Sequence, residues 1–555
     1  MKSKRNSATE SLPSTLVDRR RFLLATVGGP AVIAASSAKM LAGSPGSESF
    51  AAAPGAGAQE GGQDSLYLET RNGWYMQDGK VIWGYARNNE MWGGYRGLPT
   101  GWYTDYELGP SLVRNDPGKV APNRTEDLDK LTDDMVRYGY PGFQHTPPLW
   151  YDRRRDSHGT DRRTDAHVVA PFLEMPWARS DQGQAWDGLP LYDLTKFNPW
   201  YFSRLKEFAE HCDRKRCILF HDCYNQHNLL ETQAHYADYP WRPVNCLQAT
   251  DLPDMNPVAN VFYDVSHPLR RDLHQRYIRH CLDYLKNNRN VVFMTGAEYT
   301  GPLAFVQFWF DTILEWERQS GRKVHIGLGA TRDVADAILE DARYGPRVGT
   351  IDMRYWFYTK DDTIHAPLGG QQVAGRYTGG ADQMTPWQIY RLIREYRRRH
   401  PEKAIIHNVY ADQKQTMAFL MAGGSMLVRT LDAVGEYPPY EMPQGCENVR
   451  TIYEFINGHI PTDLLGMCPA DVVDHREDGV WCLAESGESY LVYMTTGRAF
   501  NLDLTNAPGT FDAKWVGMRL GKIFEAAGEK LEGGKVHEMH GPDWRQWMLW
   551  LKKSC

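Results

Sequence analysis

The residue of this sequence that is best placed to do chemistry is Glu298. It stands just past a short apolar run, Val291–Met294, which predicts a buried strand. In a barrel of parallel strands, the residues that follow each strand converge on one pocket at the C-terminal rim. A carboxylate there, beside Tyr299, could donate or accept a proton. The alternative is that Glu298 caps the helix that the amphipathic segment 305–316 predicts.

The same pattern, an apolar run followed by polar and aromatic residues, recurs after other predicted strands. One such residue is weak evidence for a site. When polar residues recur at the same position after successive strands, core packing does not explain them, because packing would favour apolar residues there. We therefore predict that substrate contacts come from these residues: His145, Trp150, His221, Asp222, Asn228, Tyr299, Arg354, Trp356 and His407.

Several carboxylates among aromatic residues, without a cofactor motif, describe the active site of a glycoside hydrolase best. That reaction needs one carboxyl group to protonate the leaving oxygen and a second to attack the sugar or to activate water. Glu298 is the predicted acid/base residue, because the apolar approach to it favours the protonated carboxyl group. Asp352 and Asp412 are the predicted catalytic partners, and Asp222 is a third option. No cofactor is expected.

Metal-dependent and serine-dependent hydrolysis find less support. His221 and Asp222 with His227, or His145 with His221, could bind zinc if the strands bring them together. No His-Glu-x-x-His motif supports such a site, and no metal is predicted. No Gly-x-Ser-x-Gly motif indicates a nucleophilic serine.

Arg354 allows more than one interpretation. It stands two residues past Asp352, so the two side chains share one face if the segment stays extended. It could bind the carboxylate or sulfate of an acidic sugar, or it could be the structural partner of Asp352 or Glu298. A polysaccharide lyase acting on uronic acids would use Arg354 with Tyr299 or His407 as base. A carbohydrate-binding barrel without catalysis is the other alternative to hydrolysis.

The elements that must position these residues alternate along the chain. Strands are predicted at 81–85, 142–145, 217–221, 291–294, 324–328, 350–353, 404–407 and 425–428. Amphipathic helices are predicted between them, at 126–138, 199–212, 267–287, 305–319, 331–344, 386–400 and 413–421. This alternation predicts an α/β fold, a (β/α)8 TIM barrel. A doubly wound open sheet is the alternative, but no Gly-x-Gly-x-x-Gly follows the first strand.

The chain changes character near Leu465. Short alternating segments follow, at 479–484, 489–494, 499–504, 513–518 and 547–551, with Gly, Pro and Asp between them. This pattern predicts a small antiparallel β-sandwich. We therefore expect a catalytic barrel at 64–465 and a β-sandwich domain at 466–555, which could bind sugar or brace the barrel.

The N-terminal residues 1–41 predict an export signal. Asp18-Arg-Arg-Arg-Phe-Leu-Leu24 precedes an apolar run and then small residues, in the order of a cleavable signal. The paired arginines followed by Phe-Leu resemble a twin-arginine signal. The apolar run is short for a membrane span, and no stable span is predicted later. Residues 42–63, rich in Gly, Ala, Ser and Pro, predict a flexible linker. An exported protein, periplasmic or extracellular, is expected.

Composition limits the class of partner. The formal net charge is −6 and no basic stripe is present, which argues against nucleic acid. The chain contains 18 Trp, 30 Tyr and 19 Phe, and such rings stack on the apolar faces of sugars. Large barrels also use aromatic residues in their cores. Carbohydrate is the expected substrate.

Several segments resemble the apiosidase-like glycoside hydrolases, a clan A-like group. The segments are Asn72-Gly-Trp-Tyr-Met-Gln-Asp-Gly-Lys-Val-Ile-Trp-Gly84, Asp193-Leu-Thr-Lys-Phe-Asn-Pro-Trp-Tyr-Phe202, Asn290-Val-Val-Phe-Met-Thr-Gly-Ala-Glu298 and Met421-Ala-Gly-Gly424. The tail from about Asp471 resembles the collagen-binding-like β-domain that often follows such barrels. Phe262-Tyr-Asp-Val-Ser-His-Pro268 and Gly296-Ala-Glu-Tyr-Thr-Gly-Pro302 resemble a group of exported bacterial proteins.

The resemblance implies that Glu298 takes the acid/base position after the fourth strand. The sequence departs from the clan at the seventh strand, where such hydrolases usually place a nucleophilic glutamate. Here the chain reads Ile405-Ile-His-Asn-Val-Tyr-Ala-Asp412, without a glutamate. Either Asp412 or Asp352 then supplies the second carboxylate, or the enzyme inverts, or catalytic activity has been lost.

Overall fold

The computed structural model describes most of the chain after the predicted signal and linker. The described residues are 68–89, 128–147, 149–150, 173–230, 233–372, 384–408, 412–430, 446–460, 463–519 and 522–554. The predictions for residues 1–63 therefore lie outside the described residues. Within the described ranges, no helix combines the length and the apolar character that crossing a membrane requires.

The centre of the fold is a closed barrel of parallel strands. In chain order, its eight strands are Gly84–Asn89, Gly142–His145, Ile218–Asp222, Val291–Met294, His325–Gly329, Val348–Asp352, Ala404–Asn408 and Met426–Thr430. Each strand pairs with the next, and the eighth pairs with the first, Met426 lying opposite Gly84. The TIM-barrel prediction is confirmed, and the closed order excludes the open sheet.

The first barrel strand differs from its prediction. Val81 and Ile82 belong to a preceding strand, Lys80–Ile82, and the barrel strand begins at Gly84. Val81 and Ile82 of the first of these strands and Tyr85 and Ala86 of the second are buried, and the Trp83 between the strands is 0% exposed. The apolar run is therefore continuous through two strands, so hydrophobicity alone does not show where one ends and the next begins.

A helix follows each barrel strand and packs on the outside of the barrel. These helices are Leu128–Tyr138, Pro199–Lys215, Pro268–Leu285, Leu303–Ser320, Arg332–Glu340, Pro386–Arg399, Gln413–Met421 and Cys446–Glu454. Some of their ends carry ordinary capping contacts. For example, Asn198 accepts hydrogen bonds from the backbone of Trp200 and Tyr201 at 3.1 and 3.3 Å, and the helix ends at Arg216 in the left-handed region.

Shorter elements lie in the connections. The loop after the third strand contains the short helices His227–Leu230, Gln233–Tyr236 and Ala259–Phe262 and the 3₁₀ turn Pro243–Asn245. Other turns of helix are Gly345–Arg347, Phe455–His459 and Asp463–Gly466. Three two-stranded hairpins pair Leu149–Trp150 with Leu173–Glu174, Trp177–Arg179 with Tyr192–Phe197, and Phe357–Tyr358 with Ile364–His365.

A three-stranded antiparallel sheet closes the N-terminal end of the barrel. Its strands are Leu68–Arg71, Trp74–Gln77 and Lys80–Ile82. The Tyr75 hydroxyl is 2.8 Å from the Thr350 hydroxyl of the sixth strand, and Ser425, just before the eighth strand, donates to the Gly73 carbonyl at 2.5 Å. These contacts fill the N-terminal end of the barrel with side chains of the small sheet.

The C-terminal residues form two antiparallel sheets. In spatial order, the six-stranded sheet consists of Cys468–Ala470, Val480–Glu485, Ser489–Met494, Trp547–Lys553, Thr510–Arg519 and Lys522–Glu532. The smaller sheet pairs Phe500–Asp503 with Val536–Met539. One apolar cluster, including Leu502, Leu549 and Leu551, lies between the two sheets. We call these sheets the β-module.

The other face of the six-stranded sheet packs on the barrel helices. Trp481, Tyr493 and Met548 of this face belong to the same apolar cluster as the barrel core. The rings of Trp481 and Tyr390 stack, with centroids 5.3 Å apart and planes 16° apart. Arg398 of the sixth barrel helix pairs with Asp471 at 2.6 Å. The barrel and the β-module are thus joined by packing as well as by charge.

Candidate active site

Polar side chains from three barrel strands meet inside the C-terminal end of the barrel. They are Gln144 on the second strand, Asp222 at the end of the third and Asp352 at the end of the sixth, and all three are 0% exposed. Buried polar groups at this depth are costly unless they are paired. Their contacts therefore indicate what the site is built to hold.

Asp352 is held by Arg354. The guanidinium Nε donates to both carboxylate oxygens, at 3.0 and 2.7 Å, and its Nη2 is 2.6 Å from Oδ2. The Arg354 backbone N–H donates to Oδ1 as well, at 3.2 Å. Burial raises the pKa of Asp352, and Arg354 limits that rise. The strand ends at Asp352 and the chain turns, so the two side chains meet because the segment folds back, not because it stays extended.

Asp222 is the second buried carboxyl group. Its Oδ2 accepts hydrogen bonds from Gln144 at 2.8 Å and from Thr146 at 2.9 Å. Among the described residues, none donates a hydrogen bond to its Oδ1. Burial, with a smaller contribution from Asp352, raises the pKa of Asp222 to about 7, although Arg354 opposes the shift. This carboxyl group is therefore protonated in mildly acidic solution.

Gln144 joins the two carboxyl groups. Its Nε2 donates to Asp222, while its Oε1 accepts a hydrogen bond from the Arg354 Nη1 at 2.8 Å. Asp222, Gln144, Arg354 and Asp352 thus form one chain of contacts across the end of the barrel. The guanidinium is occupied by Asp352 and Gln144, so the geometry supports the structural role of Arg354 and not the recognition of an acidic sugar.

The predicted histidines are buried and neutral. His145, His221 and His407 are 0% exposed. The rings of His145 and His221 stack with centroids 5.6 Å apart, and His145 Nε2 is 2.8 Å from the Tyr201 hydroxyl. Burial lowers the pKa of His221 to about 3 and that of His407 to about 4, and it holds the pKa of His145 well below its usual range. None of the three supplies a cation near neutral pH.

Glu298 lies on the rim loop after the fourth strand, and its side chain is half-buried. Its backbone has φ 56°, in the left-handed region, which costs a non-glycine residue about 1 kcal/mol or more. The helix that follows begins at Leu303 with Pro302 at its cap position, so Glu298 is not the helix cap. A strained residue at such a rim indicates a functional constraint.

The backbone on both sides of Glu298 is fixed by the loop after the third strand. Ala297 pairs with Asn225, and its N–H donates to the Tyr224 carbonyl at 2.8 Å. Two hydrogen bonds join Gln226 and Thr300, at 2.6 and 3.0 Å. These contacts hold the left-handed turn in place and extend the third and fourth strands towards the rim.

Two predicted sugar-binding rings are packed in the core. Tyr299 is 0% exposed, its hydroxyl donates to the Pro302 carbonyl at 2.8 Å, and its ring meets Tyr263 edge-on at 4.9 Å. Trp356 is also 0% exposed, with its ring 5.3 Å from that of Tyr396 on the sixth barrel helix. Both rings contact protein, and we assign them to packing.

The remaining predicted residues lie apart from this chain of contacts. Asp412 is exposed and caps the helix Gln413–Met421: its side chain accepts from the Gln415 N–H at 2.8 Å, and the Asp412 N–H donates to the Gln415 side-chain oxygen at 2.9 Å. Asn228 is half-buried in the short helix after the third strand. The backbone of Trp150 pairs with Leu173, but its side chain lies outside the described residues.

The predicted site residues do not include Gln144 or Thr146. Their uncharged side chains suggest no chemistry by themselves. Only their position could have identified them. Gln144 and Thr146 lie at the end of a strand that is buried throughout, and a polar side chain in such a place needs a hydrogen-bond partner. Within the described residues, no three His, Cys, Asp or Glu side chains are arranged to hold a metal ion.

Several solved structures are similar to this chain at low identity. A glycoside hydrolase is 12% identical, with a TM-score of 0.49, and the match covers 88% of this chain and 97% of that one. A family 5 glycoside hydrolase from Bacteroides vulgatus has the same identity and TM-score, with coverages of 88% and 93%. A family 44 xyloglucanase from Paenibacillus polymyxa is 10% identical, with a TM-score of 0.38 and coverages of 88% and 99%. These values are too low to say anything about the activity of this chain.

A search of curated proteins finds no match to this sequence. The resemblance to apiosidase-like hydrolases and to the collagen-binding-like β-domain stays a prediction. A protein-family model described as a domain of unknown function, DUF6298, matches residues 50–435, which is more than half of the chain, and the chain therefore belongs to that family.

Proposed function

We propose that the protein is an exported glycoside hydrolase that cleaves a glycosidic bond of a polysaccharide or oligosaccharide by paired-carboxylate chemistry. The observation that carries this proposal is the state of Asp352. It is a fully buried carboxylate at the C-terminal end of a barrel strand, and Arg354 binds both of its oxygens. A carboxylate that is paired with a guanidinium at this end of a barrel can act as the nucleophile or base of glycoside hydrolysis.

The neighbouring groups set the charge on Asp352. Because burial raises the pKa of Asp222 to about 7, Asp222 is neutral in mildly acidic solution. Asp352 is then the one of these two carboxyl groups that balances the charge of Arg354. When Asp222 ionises, the guanidinium is shared between two carboxylates. Gln144 keeps the two carboxyl groups in fixed positions relative to the guanidinium. Buried carboxyl groups with raised pKa values beside an arginine are typical of acid–base sites.

Glu298 is the proposed acid/base residue. It lies on the rim loop, and it is more accessible than Asp222 and Asp352. Its loop is fixed in a strained conformation. From the rim it can protonate the leaving oxygen of a sugar that enters the barrel end. Asp352 would then act on the anomeric carbon directly or through water.

Isosteric variants test these roles. Glu298→Gln keeps the shape of the side chain but removes the acid, so turnover should fall by about 10² to 10⁴. Asp352→Asn should cause a loss of similar size. Asp222→Asn should retain activity below pH 7, because asparagine resembles the protonated carboxyl group. Release of reducing ends from an oligosaccharide and polysaccharide panel measures all three, and Glu340→Gln, a surface change, is the matched control.

The outcomes separate the alternatives. Near-normal hydrolysis by a folded Glu298→Gln protein contradicts the assignment of Glu298. Loss of activity at pH 6 in Asp222→Asn, with Glu298→Gln active, would transfer the acid role to Asp222. A carbohydrate-binding barrel without catalysis is favoured if glycans bind but no reducing ends are released. One observation supports that alternative: the seventh strand ends with His407 and Asn408 and carries no carboxylate.

Export is proposed from the sequence of the N-terminus. Changing Arg19 and Arg20 together to lysine should leave the protein in the cytoplasm, because the paired arginines are what the twin-arginine receptor reads. Cell fractionation followed by immunoblotting measures the distribution. Equal export of both forms would contradict a twin-arginine route.

A further inference from the structure

A tryptophan on the β-module is exposed to an unusual degree. The side chain of Trp544 is 77% exposed, in the loop between the strands Val536–Met539 and Trp547–Lys553. A ring of this size normally buries most of its surface, because leaving it in water forfeits a large hydrophobic gain. Its exposure therefore calls for a reason outside the fold.

The loop that carries Trp544 is held firmly on both sides. Asp543 Oδ1 accepts hydrogen bonds from the Arg545 N–H at 2.9 Å and from the Trp547 indole at 2.8 Å. Gln546 accepts from the Tyr493 hydroxyl at 2.7 Å. A Cβ on Gly497 would collide with the backbone of Asp543 and Trp544, so this neighbouring loop packs closely against it. The indole is thus presented from a rigid support, which lowers the entropic cost of binding.

This loop lies at the end of the β-module that adjoins the catalytic rim of the barrel. The helix Gln413–Met421 follows the seventh strand, so it begins at that rim. Gln413 donates to the Met518 carbonyl at 3.0 Å, at the end of the six-stranded sheet that also carries Gln546. Burial and then the Asp412 carboxylate raise the pKa of Tyr493, the residue that binds Gln546. These contacts bring the Trp544 loop to the rim side of the molecule.

The surroundings of the ring suit a sugar. The guanidinium of Arg545 lies 5.3 Å from the centroid of the Trp544 ring, over one face, while the large exposed fraction leaves the other face open. An open indole face stacks on the C–H face of a pyranose, and guanidinium N–H groups donate to sugar hydroxyls. We propose that Trp544 is an accessory binding platform for a pyranose unit of the polysaccharide whose chain is cleaved at the barrel rim. The identity of the ligand as carbohydrate rests on the proposed function.

Affinity electrophoresis of the full-length protein tests the platform. Native gels would contain xyloglucan, arabinoxylan, galactomannan or pectin, and migration would be compared for wild type, Trp544→Ala, Trp544→Phe and the control Phe524→Ala. Phe524 is another exposed ring, 43% exposed, on the edge strand of the same sheet. Retardation by at least one polymer should weaken about tenfold in Trp544→Ala, remain partly in Trp544→Phe, and persist in Phe524→Ala.

Kinetics distinguish this proposal from the proposed function. Trp544→Ala should lower kcat/KM on the polymer about tenfold and leave turnover of a short oligosaccharide unchanged, because the short substrate does not reach the module. Equal retardation of wild type and Trp544→Ala, or no retardation of wild type by any polymer, overturns the platform. Tryptophan-dependent retardation without release of reducing ends supports the platform and counts against hydrolysis.

Discussion

Replacing Asp222 with asparagine should change how stability depends on pH. In the folded protein, burial raises the pKa of this carboxyl group from 3.8 to about 7. The rise corresponds to about 4 kcal/mol, at about 1.36 kcal/mol for each tenfold change in proton affinity. Asparagine fits the same position: its oxygen can accept from Gln144 and Thr146, and its amide occupies the place of Oδ1.

The sign of the effect follows from proton binding. The folded protein holds this proton more tightly than the unfolded chain, so the stability that the proton contributes is fully present below about pH 3.8. It is lost as the pH rises through about 7. Asparagine cannot ionise, so the free energy of unfolding of wild type, relative to that of Asp222→Asn, should fall by about 3 kcal/mol between pH 5 and pH 8.

Urea unfolding of both proteins at a series of pH values measures this difference. Taking the difference between variants removes the contributions of other titrating groups that both proteins share. Asp503→Asn, an exposed change on the β-module, is the control and should show no such fall. If the difference between wild type and Asp222→Asn stays within about 0.5 kcal/mol across this range, Asp222 is already ionised in the folded protein and the reasoning about the site fails.

Three further substitutions test contacts described above. Arg354→Met leaves Asp352 buried without its cation and should destabilise the protein by about 3–5 kcal/mol, measured by urea unfolding, with loss of hydrolysis; unchanged stability would refute the ion pair. Asp412→Ala removes a helix cap and should cost about 1 kcal/mol, whereas Asp412→Asn should keep both stability and turnover; an inactive Asp412→Asn would return Asp412 to the catalytic candidates. Trp356→Ala opens a cavity against Tyr396 and should cost about 3–5 kcal/mol in thermal or urea unfolding, and a rise in KM without that loss would make the ring a substrate contact.

The barrel could be predicted from the sequence because parallel strands are buried on both faces. Such strands read as continuous apolar runs, as Val291–Met294 does. The same property explains the error at Val81–Ile82, where the buried residues of one strand run directly into those of the next. The strand Lys522–Glu532 was missed for the opposite reason. It is exposed along most of its length and rich in Lys and Glu, so no apolar pattern marks it.

The sequence was enough to predict where the site residues lie in the barrel, but not which side chains they contact. Asp222 and Asp352 were correctly placed at strand ends, because the ends of the apolar runs show where the rim begins. The pairing of Asp352 with Arg354 depends on a turn that the residue spacing does not reveal. For Asp412 the signal was present: Asp followed three residues later by Gln is the pattern of a capping box. The position of Asp412 just beyond the seventh strand favoured a catalytic role instead.

The apolar junction between the barrel and the β-module makes it costly to lose the module during evolution. Loss of the module in one step would leave the Tyr390 ring without Trp481 and expose the surface around Trp387, which stacks on Tyr390 at 5.8 Å. The bare barrel would then carry an exposed aromatic patch and tend to aggregate. The two parts should therefore be inherited together. A relative with the barrel alone is expected to carry polar residues where this chain has Trp387 and Tyr390.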